Sequence, residues 1–516
     1  MNIGIVNLLV CMSVASVSQQ TYTNETVNVD SNISTNEVLV VLSTEESLKW
    51  KDYTVDDFKE VECTAVEDLT SSYKHQKILK KDFKRILKLS FGEKEVEEVY
   101  NIIDKLSAIQ GIEYAGPNYE LIGEASAIDT TGRYNSRTAT SVDENWGIDR
   151  INVPEAESYI ELLECETKTI NVGVLEKGID GTHNDFNGKK NTVLSESFYG
   201  TWSSVDELNE WIDSDGQSSD HGTMVAGIIA ANENSTEGTR GVCHDARIVS
   251  LKFGFGISRV AGSNEYIYTN VEHVVSALNH ATLNNIRIMN CSFGYVLYDS
   301  AMFAAMYNYP GLIVCGAGND GSNNDTTPFY PASFDLDNII SVGAIDINNN
   351  KWTYSNHGKT SVDVFAPGVD IKSTSKNNTY KVDSGTSYAA PFVSGLAAML
   401  LSIEDETPAG NLTALEIKGL IMDSAVCNSN LEDYCVTESI INAEEAVSYA
   451  LEYIRTYTYS QYDSTYHVVM TGYGDEYLEE HLYVPVTSSG GMISTYIPPT
   501  ILYYQCSKCG ATKLSL

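Results

Sequence analysis

The stretch SGTSYAAPFVSGLAAMLL, Ser384 to Leu401, begins with small polar residues and then turns almost wholly apolar. Ser384 and Gly385 permit a tight turn. A helix is predicted to begin near Ser387, with Pro391 tolerated in its first turn. Ala389, Ala390, Val393, Leu396, Ala397 and Leu400 make that helix apolar nearly all round, so it is predicted to be buried. A serine at the mouth of a buried helix feels the positive potential of the helix N-terminus, which favours an anion. Taken alone, Ser387 reads first as a plain N-cap and only second as a nucleophile.

Three further stretches bear on that choice. DHGTMVAGIIAANE (Asp220–Glu233) places His221 at the start of a small-residue helix, where Gly222, Ala226, Gly227 and Ala230 allow close packing on a sheet. A histidine there can cap or act as a general base, because its pKa lies near neutral. INVGVLEKGIDGTHNDF (Ile170–Phe186) is an apolar strand that delivers Glu176 at its carboxyl end, followed by Gly178 for a sharp turn. Sites on open parallel sheets form at that end of the strands. A carboxylate there can fix the tautomer of a histidine and stabilise its imidazolium. GLIVCGAGNDGS (Gly311–Ser322) is a buried strand running into a glycine-rich loop with Asn319, whose amide can donate to a developing oxyanion.

Around these motifs, apolar runs at 170–175, 246–251, 286–291, 312–315 and 339–342 alternate with helical patterns. Such alternation predicts an α/β fold: a parallel sheet covered by helices on both faces.

Together the four motifs resemble the subtilisin-like serine peptidases, the subtilases. HGTMVAGIIAA and SGTSYAAPFVSG are similar to that family's histidine and serine motifs, GAGNDG to its oxyanion segment and NCSFG (Asn290–Gly294) to a substrate-binding strand. The order acid, histidine, serine also fits. The resemblance covers roughly residues 145–453 and implies a doubly wound, mostly parallel sheet. It implies Ser387 as nucleophile, His221 as general base, and Asn319 with the Ser387 N–H as the oxyanion hole. It also implies that Ser292, Phe293 and Gly294 on one side, and Gly316, Ala317 and Gly318 on the other, flank the P1 side chain. These residues suggest a roomy apolar pocket with broad preference.

The chain departs from the family pattern at its acid, where Glu176 stands in the usual Asp position with Lys177 as its neighbour. Two readings follow: an active secreted endopeptidase in which Glu176 functions, or a non-catalytic or weakly active peptide-binding pseudoprotease. Retention of His221, Asn319 and Ser387 favours the first, and on that reading Glu176→Asp preserves or raises turnover. Tyr388 stands where many members carry an oxidisable Met, which predicts peroxide resistance. Met224 stands where another His is common. His183 and Asp185 are expected to serve structure.

The chain has 516 residues, enough for several domains. Residues 1–18 read as a signal peptide, because Ile3–Val17 is apolar but too short to span a bilayer. Residues 19–35 read as a flexible segment. Residues 36–122 form a small α/β pattern in which EVLVVL and IEYAGPNYELI read as strands, EKEVEEVYNIIDKLSAI as a helix, and DFKRILKLSF as a helical start followed by an apolar run. By the resemblance this unit is an inhibitory propeptide. Residues 123–143 read as a linker with a processing site, 144–453 as the catalytic domain and 454–516 as a short β-rich C-terminal module.

The net charge of −37 argues against nucleic acid and anionic membrane surfaces as partners. Expected partners are polypeptide substrates and the chain's own propeptide, with a monomeric, extracellular protein. No cofactor is expected for catalysis. Structural Ca2+ is a family-level expectation, with acidic ligands from Asp206–Asp220. Cys506 and Cys509 with His467 and His481 are candidates for a Zn2+ site, against a surface disulfide or free thiols. Cys291 and Cys315 are expected to be buried thiols, and Cys427 with Cys435 is a candidate local disulfide.

Overall fold

The computed structural model describes residues 33–75, 79–124, 145–198, 220–233, 239–257, 266–403 and 412–451, together with strands at 502–505 and 512–515. The expected signal peptide, the linker and all of the tail except those two strands lie outside the described residues.

The N-terminal unit contains β1 (Ile33–Leu42), a short helix α1 (Thr44–Leu48), β2 (Ala65–Asp68), β3 (Ile86–Ser90), α2 (Val96–Ser107) and β4 (Ile112–Glu124). β1 starts within the segment expected to be flexible. α2 follows from apolar residues at helical spacing, with Val99, Ile102 and Leu106 buried, and from Glu98 reaching back to the Glu95 N–H at 3.0 Å. The helical start expected near Asp82 is absent. Residues 81–82 form a turn, and the following run pairs as β3 between β1 and β2, so tertiary pairing overrides local propensity.

The larger unit runs through α3 (Trp146–Arg150), α4 (Val153–Leu162), β5 (Ile170–Glu176), β6 (Glu196–Ser197), α5 (Asp220–Ala230), β7 (Ala246–Lys252), β8 (Gly254–Ile257), β9 (Tyr266–Asn270) and α6 (Val271–Leu283). It continues through β10 (Ile288–Cys291), α7 (Ser300–Asn308), β11 (Leu312–Gly316), β12 (Ile339–Ile345), β13 (Val364–Pro367), β14 (Ile371–Ser375), β15 (Thr379–Asp383), α8 (Thr386–Ser402) and α9 (Ala414–Asp423). It closes with β16 (Val426–Cys427) and β17 (Ser439–Ile440). In the tail, β18 (Leu502–Gln505) and β19 (Thr512–Ser515) pair antiparallel.

The main sheet has nine strands in the order β16-β17-β13-β12-β11-β10-β5-β7-β6. Its pairings are parallel except β16 with β17. Strands β10 to β13 are buried along their whole length, which explains their unbroken apolar runs. α5 and α8 share the core on one face, and α6 and α7 cover the other.

The second half of β1 is buried on both of its faces. Val38, Val40 and Leu42 pack with α2, while Leu39 and Val41 join the cluster containing α6 and α7. This division follows from strand alternation. β4 continues past its own sheet and pairs antiparallel with β9, from Glu120 opposite Asn270 to Glu124 opposite Tyr266. Polar contacts reinforce the junction. The Lys88 ammonium lies 2.6 Å from Glu272, the Asn308 side chain donates to Lys84 O at 2.7 Å, and Tyr73 and Thr282 hydroxyls meet at 2.8 Å.

Cys291 and Cys315 are buried thiols side by side on β10 and β11. Cys427 and Cys435 do not form the local disulfide. The Ser439 hydroxyl meets Cys427 Sγ at 3.7 Å, and Cys435 is buried in a small cluster with Leu431 and Ile440. No helix among the described residues is long and apolar enough to cross a membrane.

Candidate active site

Each element reaches the same end of the sheet for a local reason. β5 carries Glu176 to its last position, and Gly178 then turns the chain. α5 begins immediately before His221. Gly222 makes that approach possible, because a β-carbon there would lie 2.2 Å from the Gly178 carbonyl oxygen. β10 ends at Cys291, and β11 ends at Gly316, so Ser292 and Asn319 follow the carboxyl ends of two adjacent strands.

α8 starts at Thr386, so Ser387 lies in its first turn, and every residue of the helix is buried. Pro391 therefore falls beyond the first turn, contrary to expectation. Proline has no N–H to give to the carbonyl four residues earlier. That carbonyl belongs to Ser387, and it accepts a hydrogen bond from Ser292 Oγ at 2.8 Å instead. The Ser387 hydroxyl in turn donates to the Ser292 carbonyl at 3.3 Å. The nucleophile candidate is thus tied at both ends to the residue after β10.

Glu176 is fully buried, and its Oε1 lies 2.7 Å from Nδ1 of His221, which is itself 5% exposed. The other oxygen, Oε2, accepts the Lys177 backbone N–H at 3.1 Å. The glutamate therefore reaches the imidazole despite its extra methylene. The contact has the length of a strong hydrogen bond, but neither Oε1 nor Nδ1 has a partner in good hydrogen-bond direction. Nε2 of His221 also has no well-directed partner, which is common before substrate tightens a catalytic constellation.

Asn319 is oriented by its own oxygen. Oδ1 accepts the Thr386 N–H at 2.9 Å and the Thr386 hydroxyl at 3.0 Å, while Thr386 Oγ1 accepts the Gly318 N–H at 3.1 Å. With Oδ1 held, Nδ2 is the group left to donate elsewhere.

Tyr388 and Asp383 form a further layer that sequence reasoning missed. The Tyr388 ring packs 5.4 Å from the His221 ring, and its hydroxyl donates to Asp383 at 2.9 Å. Burial pushes the Asp383 carboxyl above the usual range, against the lowering effect of the Ser384 N–H, the Tyr388 hydroxyl and His221. Beside His221, Asp220 binds the Lys381 ammonium and the Ser375 hydroxyl. Burial works to raise its pKa, but these partners outweigh it and hold the carboxyl low.

Of the segments expected to flank P1, Ser292 is hydrogen-bonded to Ser387 and Gly316 lies against Thr386, while Phe293 departs from expectation. Phe293 does not contribute its ring to a pocket. It is 3% exposed and stacks in the core, 4.5 Å from Phe253. The aromatic ring beside Gly294 and Gly318 is that of Phe329, for which the sequence gives no local signal.

His183 and Asp185 serve structure as expected. His183 bonds the Thr379 carbonyl at 3.0 Å, and Tyr380 donates to Asp185 at 2.7 Å. The zinc candidates His467, His481, Cys506 and Cys509 lie outside the described residues, as does the acidic loop 206–219. Among the described residues no three or more His, Cys, Asp or Glu side chains cluster as metal ligands.

Residues 167–472 match the model of the Subtilase family. The chain is 32% identical over 290 residues to Subtilisin-like protease 2 of Plasmodium falciparum (isolate 3D7), covering 54% of this chain and 20% of that protein. It therefore spans about a fifth of that relative's length. It is 31% identical over 321 residues to the Thermophilic serine proteinase of Bacillus sp. (strain AK1), covering 61% of this chain and 70% of that protein. It is 32% identical over 284 residues to Subtilisin DY of Bacillus licheniformis, covering 54% of this chain and 90% of that protein.

Proposed function

Because this chain belongs to the subtilase family of serine peptidases, we propose that it is an active secreted endopeptidase that uses Glu176, His221 and Ser387. Ser387 Oγ attacks the scissile carbonyl while Nε2 of His221 takes its proton. Glu176 holds the proton on Nδ1 and stabilises the imidazolium. The tetrahedral oxyanion accepts from Asn319 Nδ2 and the Ser387 N–H, in the first turn of α8 where the helix dipole favours negative charge. His221 then protonates the leaving amine, and water resolves the acyl-enzyme by the same route. No step draws on a cofactor.

The observation that carries this reading is the 2.7 Å contact between His221 Nδ1 and a fully buried Glu176. A chain without need of the imidazole's orientation has no reason to keep a buried carboxylate against it, since burying an uncompensated charge is costly. The same contact weighs against the pseudoprotease reading. In this account the N-terminal unit is an internal inhibitor. Its support is the β4–β9 pairing and the Lys88–Glu272 contact at the junction. The apolar leader Ile3–Val17 supports export.

The test is hydrolysis of an unstructured protein substrate by the full chain, with N-terminal sequencing of the mature product. Turnover and self-cleavage that both vanish in Ser387→Ala support the proposal. Equal turnover in that variant refutes it.

A further inference from the structure

We propose that Phe329 fills the space that would take the P1 side chain, so that this peptidase cleaves after small residues. The inference rests on the functional reading above and names the substrate class of that same site. The two segments expected to flank P1, Ser292–Gly294 and Gly316–Gly318, each contain a glycine facing one ring. A β-carbon built on Gly294 would lie 2.3 Å from Cε1 of Phe329, and one on Gly318 would lie 2.3 Å from Asn356 Nδ2 and 3.1 Å from Cδ1 of the same ring. The ring therefore lies between the two walls. It is 8% exposed, so little of it is left to yield to an incoming side chain.

The ring is also held in place. Phe329 N–H donates to Ser333 Oγ at 3.0 Å, and Phe329 O accepts the Ser333 N–H at 2.9 Å. The next residue, Tyr330, exchanges two backbone hydrogen bonds with Tyr295, both 2.7 Å, which locks this segment beside Gly294. Moving the ring aside means breaking a four-bond frame or forcing it off its rotamer, and overpacking of that kind is costly. Alanine, glycine and serine need little of the occupied volume. Leucine, phenylalanine and tyrosine need all of it. The chain's own stretch 125–144, ASAIDTTGRYNSRTATSVDE, is rich in Ala, Ser and Thr and holds one aromatic, Tyr134.

The test uses the protein expressed as the full chain and purified after maturation, with a fluorophosphonate count of active sites. Peptides differing only at P1 give kcat/KM for Ala, Ser, Leu and Phe. Wild type should favour Ala over Phe by roughly 100-fold, the discrimination that pocket volume can supply. Phe329→Gly should reverse that order, and Phe329→Ala serves if the glycine variant fails to fold. The mature N-terminus should follow a small residue. Wild type that labels yet prefers Phe or Leu at P1, or that matures by cleavage after Tyr134, overturns the inference. Absence of labelling instead defeats the functional reading. The pocket is then read without turnover, as binding of labelled product peptides to Ser387→Ala. Tighter binding of a C-terminal Ala peptide supports the inference, and tighter binding of a C-terminal Phe peptide overturns it.

Discussion

Glu176→Gln isolates the role of the acid, because it keeps the shape and removes the charge. In the folded protein Oε1 faces His221 Nδ1 at 2.7 Å, and Oε2 accepts the Lys177 N–H at 3.1 Å. Both contacts are buried, so water cannot repair a mismatch. A glutamine has one acceptor oxygen for two donors. If that oxygen stays on the Lys177 N–H, the NH2 group faces Nδ1. The imidazole must then present a lone pair there and carry its proton on Nε2, where it cannot accept the Ser387 proton. If the amide flips, NH2 meets a backbone N–H, and an unmet buried donor costs about 1–3 kcal/mol. Either state disfavours the competent tautomer. Loss of that tautomer costs about 10⁴-fold in kcat in a comparable triad, or about 5.4 kcal/mol at 1.36 kcal/mol per decade. The assay is kcat/KM on a small-P1 peptide, with thermal unfolding as a control for the fold. A folded Glu176→Gln protein within tenfold of wild type would refute the reasoning.

Other outcomes follow from the same geometry. Glu176→Asp withdraws the carboxylate by roughly a bond length, and a displacement of about 1 Å can cost ~100-fold. We therefore expect kcat/KM to fall, reversing the expectation that sequence alone suggests; unchanged or faster turnover contradicts this. Wild type should keep its activity in peroxide, whereas Tyr388→Met should be inactivated by it, as followed by residual activity and peptide mass. Asp299 caps α7 through a 2.8 Å bond from the Met302 N–H, but its Oδ2 is buried without a partner, and burial pushes its carboxyl up to about 6. The folded state then holds a proton that the unfolded chain releases above about pH 4. Stability should fall as pH rises from about 4 to 6, by up to about 3 kcal/mol. Asp299→Asn should lack that loss, so its stability relative to wild type should grow across that window and level off above it. Parallel urea-unfolding curves at pH 4 and 7 check this.

The sequence reveals the parts of the site that are local. Glu176 ends an apolar strand, His221 and Ser387 open small-residue helices, and Asn319 follows a buried strand into glycines. Each position needs only a few neighbouring residues to be recognised, and the five predicted core runs all become strands of the sheet. What escapes the sequence is set at a distance. Phe329 reaches Gly294 and Gly318 because the Tyr295–Tyr330 bridge brings two remote loops together. The Phe293 ring leaves the pocket because its direction places it on the core side, beside Phe253. The pairing of β4 with β9 depends on backbone edges that carry no side-chain signature. Local sequence confines Pro391 to a first turn, because nothing local shows that Ser292 Oγ takes over the bond it cannot make.

The most direct test of the central claim is intact-mass analysis of the full chain after exposure to a fluorophosphonate. A single adduct on Ser387 is expected, absent in Ser387→Ala and formed far more slowly in both Glu176→Gln and His221→Ala. A folded, matured wild-type protein that takes up no adduct would contradict it, as would labelling that proceeds at the wild-type rate without Glu176 or His221.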